Sequence, residues 1–350
     1  MCNTLYWVVP GNIATHSGGY AYNRHVISLL HGQYFQVHLI ELSASFPFPD
    51  EAALIAADQQ LAALPDNALV IIDGLALGAM PGCAEKHAAR LILLALCHHP
   101  LALETGLSPA QKDSFYQSER RALAAVQGVL VTSRTTADYL MQHFYLPANK
   151  ITVALPGTTA VNFAKRGGKP PVLLTVASFI PRKGHDLLIN ALALLADIPW
   201  QARWVGNTHL NPDWFSGVQQ QIANSSIAHR IDLLGDCVDT QAHYAAADFF
   251  VLPSAYEGYG MAFAEALASG LPIIALATGA PAQWLPAAAS NLVAADDVQA
   301  LAAALRHVLL DASAAHVMAA AARRAASSLP RWEHTAEIIG GWLQQLSERR

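Results

Sequence analysis

The sequence predicts an α/β protein built from two open parallel sheets in tandem, and three observations carry that prediction. Short, nearly continuous apolar runs alternate with helical periodicity along the chain, the pattern of strands covered on both faces. The alternation pauses at AKRGGKPP (164–171), a Gly-, Pro- and Lys-rich stretch that reads as a linker, and then restarts. A length of 350 residues suits roughly two domains.

In the first half LYWVVP (5–10), QVHLIEL (36–42), ALVIIDG (68–74), LILLALCHH (91–99), GVLVTS (128–133) and ITVALPG (151–157) read as strands. Helical patterns lie between several of them: YAYNRHVISLLHG, EAALIAADQQLAALP and FYQSERRALAAVQG. After the linker come the strands PVLLTVAS, WQARWVG, RIDLLG, FFVLP and PIIAL, with the helices HDLLINALALLA and MAFAEALASG among them. The expected domains are 1–166 and 170–330. A last helix over 331–350, IIGGWLQQLSERR at its end, follows Pro330 and is expected to pack back on the first domain. Ligands of open parallel sheets sit beyond the carboxyl ends of the strands. The expected site is therefore a cleft across which the two domains face each other.

Composition narrows the class. Hydrophobic residues make up 53% and charged residues 13%, about half the ~25% usual for soluble domains, which excludes a disordered chain. No run reaches the ~18 apolar residues of a membrane span. AARLILLALCHHP comes nearest, but it carries Arg90 and ends at two histidines. MCNTLYWVVPG lacks the basic start and cleavage site of a signal peptide and reads as the first strand. Cys2, Cys83, Cys97 and Cys237 are scattered without CxxC spacing, as suits reduced thiols in a cytoplasmic protein. A formal net charge of −5 without a long basic run excludes a dedicated nucleic-acid binder. A local positive pocket or a peripheral membrane contact stays open.

Four loops at strand ends carry the chemistry. In GNIATHSGGYAYNRH, Gly18 and Gly19 precede a helix and can turn bare amides to an anion; a plain glycine turn is the alternative. In SFIPRKGHDLL, Arg182 and Lys183 stand on a tight turn before a helix. There a guanidinium fork and a compact ammonium suit a polyphosphate, unless the turn is simply exposed. In PSAYEGYGMAFAE (253–265), Glu257 at the turn suits sugar hydroxyls and Glu265, inside the helix, suits the vicinal hydroxyls of a ribose. An ionised carboxylate offers about four lone-pair sites and donates nothing. The plainer reading has Glu257 capping the helix and Glu265 exposed. In LCHHPLALE, His98 and His99 end a strand with Glu104 nearby, able to meet a ligand oxygen or move a proton. Consecutive strand residues point to opposite faces, so Cys97, His98 and His99 do not converge on a metal.

Taken together these stretches resemble family 4 of the retaining glycosyltransferases, which have the GT-B fold. The Glu-x7-Glu pattern of that family appears as Glu257 to Glu265, inside PSAYEGYGMAFAEALASGLPIIA. LLTVASFIPRKGHDLLINALALL resembles its phosphate-binding element, and LLGDCVDTQAHYAAADFFVLPS its loop, helix and aspartate-before-strand segment. SGGY and CHH occupy the places of the N-terminal glycine loop and of a histidine-bearing strand end. The resemblance implies a metal-independent hexosyltransferase that takes a UDP- or GDP-linked sugar as substrate, with no cofactor. Gly18, Gly19, Arg182 and Lys183 would hold the diphosphate. Glu257 and the amides of Gly258, Tyr259, Gly260 and Met261 would hold the sugar, Glu265 the ribose. His98, chosen over His99, would contact the sugar, with His99 and Glu104 on the acceptor side. The acceptor is open: lipid-linked, polysaccharide or small molecule, with work at the inner face of a membrane consistent with the apolar composition.

Two departures stand out. Ser178 replaces an arginine found in many relatives, a role that Arg182 beside Lys183 can take over, and Gln283 replaces a glutamate after TGAP. They keep alive a non-catalytic nucleotide-sugar-binding relative that serves as scaffold or partner. A nicotinamide oxidoreductase lacks its GxGxxG here. A glycosidase using Glu257 and Glu265 as its carboxylate pair fits poorly beside two cations.

Overall fold

A computed structural model of the chain describes residues 3–159 and 161–348; Cys2 lies outside the described residues. The chain divides into two compact units. The first comprises residues 1–15, 19–157 and 330–350, the second residues 16–18 and 158–329.

The first unit holds a six-stranded sheet of β1 (Asn3–Pro10), β2 (Phe35–Leu42), β3 (Leu69–Asp73), β4 (Ile92–Cys97), β5 (Gly128–Val131) and β6 (Ile151–Val153). Their order is β2-β1-β3-β4-β5-β6 and every pairing is parallel. The chain starts at β1, steps outward to β2 and returns to β3 on the other side of β1. That reversal opens a crevice beyond the carboxyl ends of β1 and β3, where doubly wound sheets take their ligands. All residues of β3, β4 and β5 are buried, which explains why their sequences read as continuous apolar runs.

Helix Trp332–Glu348 belongs to this unit. Trp332 stacks on His25 with ring centroids 4.3 Å apart, and Thr335 Oγ1 donates to Leu155 O at 2.7 Å. Further along, Gly340 leaves room for Tyr34, whose ring atoms would stand 2.7 Å from a Cβ placed there.

The second unit repeats the plan with β7 (Val172–Val176), β8 (Gln201–Val205), β9 (Ile231–Gly235), β10 (Phe249–Leu252), β11 (Ile273–Leu276) and β12 (Ser290–Val293). The order is β12-β11-β10-β7-β8-β9, again all parallel, and the reversal lies between β7 and β10. β12 is absent from the sequence reading because SNLV is short and buried only at its two ends. Residues 164–171 lie within this unit. Asp248 accepts from Gly167 N, from Gly168 N at 3.1 Å and from Val172 N at 2.8 Å, so the acid preceding β10 ties the stretch down. Among the described residues no helix is long and apolar enough to cross a membrane.

Candidate functional site

The loops after β7 and β10 meet at the reversal of the second sheet. After β7 the chain forms a short 3-10 turn, Pro181–Lys183, and then helix His185–Ala193. Gly184 joins them at φ 68°, and a Cβ there would stand 2.2 Å from Pro253 O, so this position needs glycine. After β10 the chain runs through Ser254 and Glu257 into helix Met261–Ala268. Gly260 precedes that helix at φ 88°, and a Cβ would press on Phe263 at 2.7 Å and Pro281 at 2.9 Å. The two loops are bonded together: Ala255 N donates to Arg182 O at 2.8 Å, and Arg182 Nη1 to Tyr256 O at 2.6 Å.

Glu257 stands at the centre of this junction and is 8% exposed. Its Oε1 accepts from Lys183 Nζ and from Ser254 Oγ, both at 2.6 Å, and Arg182 Nη1 lies 3.6 Å from Oε2. Burial pushes the carboxyl up, but Lys183, Arg182 and the hydrogen bonds outweigh it and hold Glu257 below the usual range. Arg182, 9% exposed, is no loose basic turn. Two cations and one carboxylate, held together away from water, carry a net positive charge that suits an anion. Glu257 spends its oxygens on these partners rather than capping the helix. The turn behind it is fixed by Trp284, which stacks on Tyr259 at 5.2 Å and donates Nε1–H to Tyr259 O at 2.9 Å. Burial pushes the Tyr259 phenol up to about 12.

Glu265 lies about one turn into the same helix. Tyr244 OH donates to its Oε2 at 2.9 Å. Burial of the carboxyl pushes Glu265 up to about 7, against the pull of that hydrogen bond.

A second group gathers at the reversal of the first sheet. Gly18 opens helix Gly18–Leu30, and a Cβ on Gly19 would stand 3.3 Å from His98 Cδ2, so the glycine backs directly onto the His98 ring. His98 Nε2 is buried without a hydrogen-bond partner, 3.5 Å from Asp73 Oδ2, and Tyr22 meets the ring edge-on at 5.4 Å. Asp73 ends β3. It accepts from Asn23 Nδ2 and from Leu75 N, both at 3.0 Å, while Asn23 Oδ1 accepts from Trp7 Nε1 at 3.0 Å. Burial raises the Asp73 carboxyl, but His98, Asn23 and Leu75 N–H together hold it below its ordinary value. His99 turns elsewhere, with Nε2 3.2 Å from Glu104 Oε2. The two adjacent histidines thus serve different partners.

Sequence reading passed over Ser254, Tyr244, Asn23 and Asp73. Asp73 had a signal, a lone acid closing the apolar run ALVIID. Tyr244 and Ser254 had none, since their roles depend on partners brought near by the sheet. Glu119 is also new. It is buried beneath the loop after β4, where its Oε2 accepts from Leu101 N at 2.9 Å, and burial pushes it up to about 8.

With this geometry in hand, likenesses to known proteins add a family. Residues 159–325 match the family described as Glycosyl transferases group 1. The lipopolysaccharide core biosynthesis mannosyltransferase LpsB of Rhizobium meliloti is 32% identical over 34% of this chain and 36% of its own length. The GDP-mannose-dependent alpha-(1-6)-phosphatidylinositol monomannoside mannosyltransferase of Mycolicibacterium smegmatis is 29% identical over 50% of this chain and 49% of its own. The chain therefore spans between about a third and half of the length of these two relatives. Among solved structures, the sucrose-phosphate synthase of Thermosynechococcus elongatus covers 99% of this chain and 100% of its own with a TM-score of 0.84 at 20% identity. That likeness establishes the fold, two six-stranded parallel sheets of the GT-B kind.

Proposed function

We propose that this chain, whose residues 159–325 form a glycosyl transferases group 1 domain, moves a hexose from a nucleoside-diphosphate sugar to an acceptor hydroxyl with retention and without a metal. The observation that carries this reading is the Lys183–Glu257–Arg182 cluster at the β7/β10 reversal. Lys183 and Arg182 take the diphosphate, whose charge grows as the sugar leaves; fixed donors aimed at developing charge are the main source of rate in such sites. Glu257 and the amides of Gly258, Tyr259, Gly260 and Met261 take the hexose, and Glu265 takes the ribose. Outside that cluster the reading assigns Gly18 and Gly19 to the diphosphate, His98 to the sugar, and His99 with Glu104 to the acceptor.

The bond from the sugar C1 to the phosphate oxygen breaks, and a bond from C1 to the acceptor oxygen forms on the same face. The acceptor proton passes to a donor phosphate oxygen, and the nucleoside diphosphate leaves. This route asks for no protein nucleophile. The M. smegmatis relative, GDP-mannose-dependent by name, makes GDP-mannose the first donor to try, with UDP-sugars second. The phosphatidylinositol monomannoside in that relative's name supports a site of action beside a membrane.

The test is release of nucleoside diphosphate from GDP-mannose and UDP-glucose in EDTA, with proton NMR of the product anomer. Turnover with retention is expected, and Lys183→Ala is expected to lower kcat/KM by ~100-fold or more. Undiminished turnover in Lys183→Ala sinks the site assignment. Donor binding without turnover at any acceptor leaves the scaffold reading, to which Ser178 and Gln283 point.

A further inference from the structure

Tyr244 is 2% exposed and carries the hydroxyl that meets Glu265. It lies on the short helix Gln241–Ala245, on a different element from the carboxylate it bonds. Its ring packs on Phe250 of β10 with centroids 5.8 Å apart, and Phe250 meets Phe263, on the helix of Glu265, edge-on at 5.5 Å. The phenol is therefore held by the same core that holds the helix, and it cannot swing without disturbing both. Its oxygen lies 2.9 Å from Glu265 Oε2 and 3.2 Å from Ala262 O. A phenol has one proton, and an ionised carboxylate is the stronger acceptor. One oxygen of Glu265 is thereby fixed, which sets the plane of the carboxylate and the direction of its other lone pairs.

We propose that Tyr244 is a positioning residue for nucleotide recognition, holding Glu265 in the single orientation that accepts the two vicinal hydroxyls of a ribose. The proposal rests on the reading of Glu265 as the ribose carboxylate. A floppy acid would lose conformational freedom on binding, whereas one already oriented does not.

The same bond bears on charge. Accepting two hydroxyl protons requires the ionised acid, and the Tyr244 hydroxyl opposes the burial that favours the neutral one. The surrounding elements bring little other charge to bear. On helix Ala312–Ala326, packed against the Glu265 helix, Arg323 lies over the Phe163 ring at 5.2 Å, and Arg324 and His316 are exposed. β11 carries no titratable residue, and on the Tyr244 helix the other titratable group is the half-buried His243.

The experiment measures the dissociation constants of GDP and UDP, and of their 2′-deoxy forms, from pH 5.5 to 9. It compares wild type, Tyr244→Phe and Glu265→Gln. Wild type is expected to prefer the ribonucleotide, with affinity falling as pH drops through about 7. Tyr244→Phe is expected to weaken ribonucleotide binding about tenfold, to shrink the preference over the 2′-deoxy form, and to move the acidic limb to higher pH. A merely structural role for the hydroxyl would leave that limb in place.

If wild type binds neither nucleotide, or shows no preference for the ribose form, the ribose reading falls and the proposal with it. If Glu265→Gln abolishes the preference while Tyr244→Phe keeps both the preference and the limb, the ribose reading stands and the proposal is overturned. Should Tyr244→Phe fail to fold, 3-fluorotyrosine at position 244 keeps the ring and makes the hydroxyl a stronger donor. The limb should then move to lower pH, and an unmoved limb overturns the proposal.

Discussion

Lys183 Nζ lies 2.6 Å from Glu257 Oε1 and Arg182 Nη1 3.6 Å from Oε2, so the cations assigned to the diphosphate already share a carboxylate. A phosphate arriving at this cluster meets two attractive charges and one repulsive charge of comparable distance. Glu257→Gln removes the repulsion and keeps an oxygen for Ser254 and Lys183. The expected result is tighter binding of free GDP or UDP, by several-fold to about tenfold, together with loss of sugar transfer. Calorimetric titration beside a turnover assay checks it; weaker nucleoside-diphosphate binding in Glu257→Gln would mean that the carboxylate chiefly holds the cations in place. Part of this was legible in the sequence. Glu257, Arg182 and Lys183 stand out as charges in a charge-poor chain at turns beside helix starts. Their mutual pairing was not, because 74 residues separate Lys183 from Glu257 and the sheet order alone brings them together.

At the scale of elements, helix Pro109–Ala125 carries an acid into the core. Glu119 is 1% exposed, and its carboxyl stays protonated up to about 8 in the folded chain, against 4.5 when unfolded. The folded state thus holds more protons between those values, and stability must fall as pH rises from about 4.5 through about 8. Glu119→Gln has no proton to lose. Urea unfolding from pH 5 to 9 should show the wild type losing on the order of several kcal/mol relative to Glu119→Gln across that window. Parallel curves would place the charged acid in better company than the Leu101 amide. Elements themselves read well from sequence where both faces are buried, as in LVIID and ILLALC. β12 failed that test, since Asn291 and Leu292 are only half-buried and the run is four residues long. Glu119 could not have been found, because within SERRALAA it looks like any helix-surface charge.

On the scale of the whole molecule, the first unit is closed by residues that come last. Helix Trp332–Glu348 supplies Trp332 to His25 and Tyr22, and Thr335 to Leu155. Removing residues 330–350 should expose these aromatic faces and cost the first unit on the order of 3–5 kcal/mol, the range of deleting a large buried aromatic side chain. Calorimetry of the truncated chain is expected to show an early transition assigned to the first unit, with residues 158–329 melting as before. A single unshifted transition would show that the helix is dispensable.

The same arrangement bears on how such chains exchange parts. The first unit releases the chain at Gly157 and takes it back at Pro330. Those points are neighbours, for a Cβ on Gly157 would stand 2.2 Å from Trp332 N. Residues 158–329 are thus a cassette whose two ends leave from one spot. Another unit of the same sheet plan could be spliced between Gly157 and Pro330 without cutting the first sheet or its last helix. On the proposed function, such a graft would change the donor by recombination alone, and the packing around Trp332 would decide whether the host accepts it.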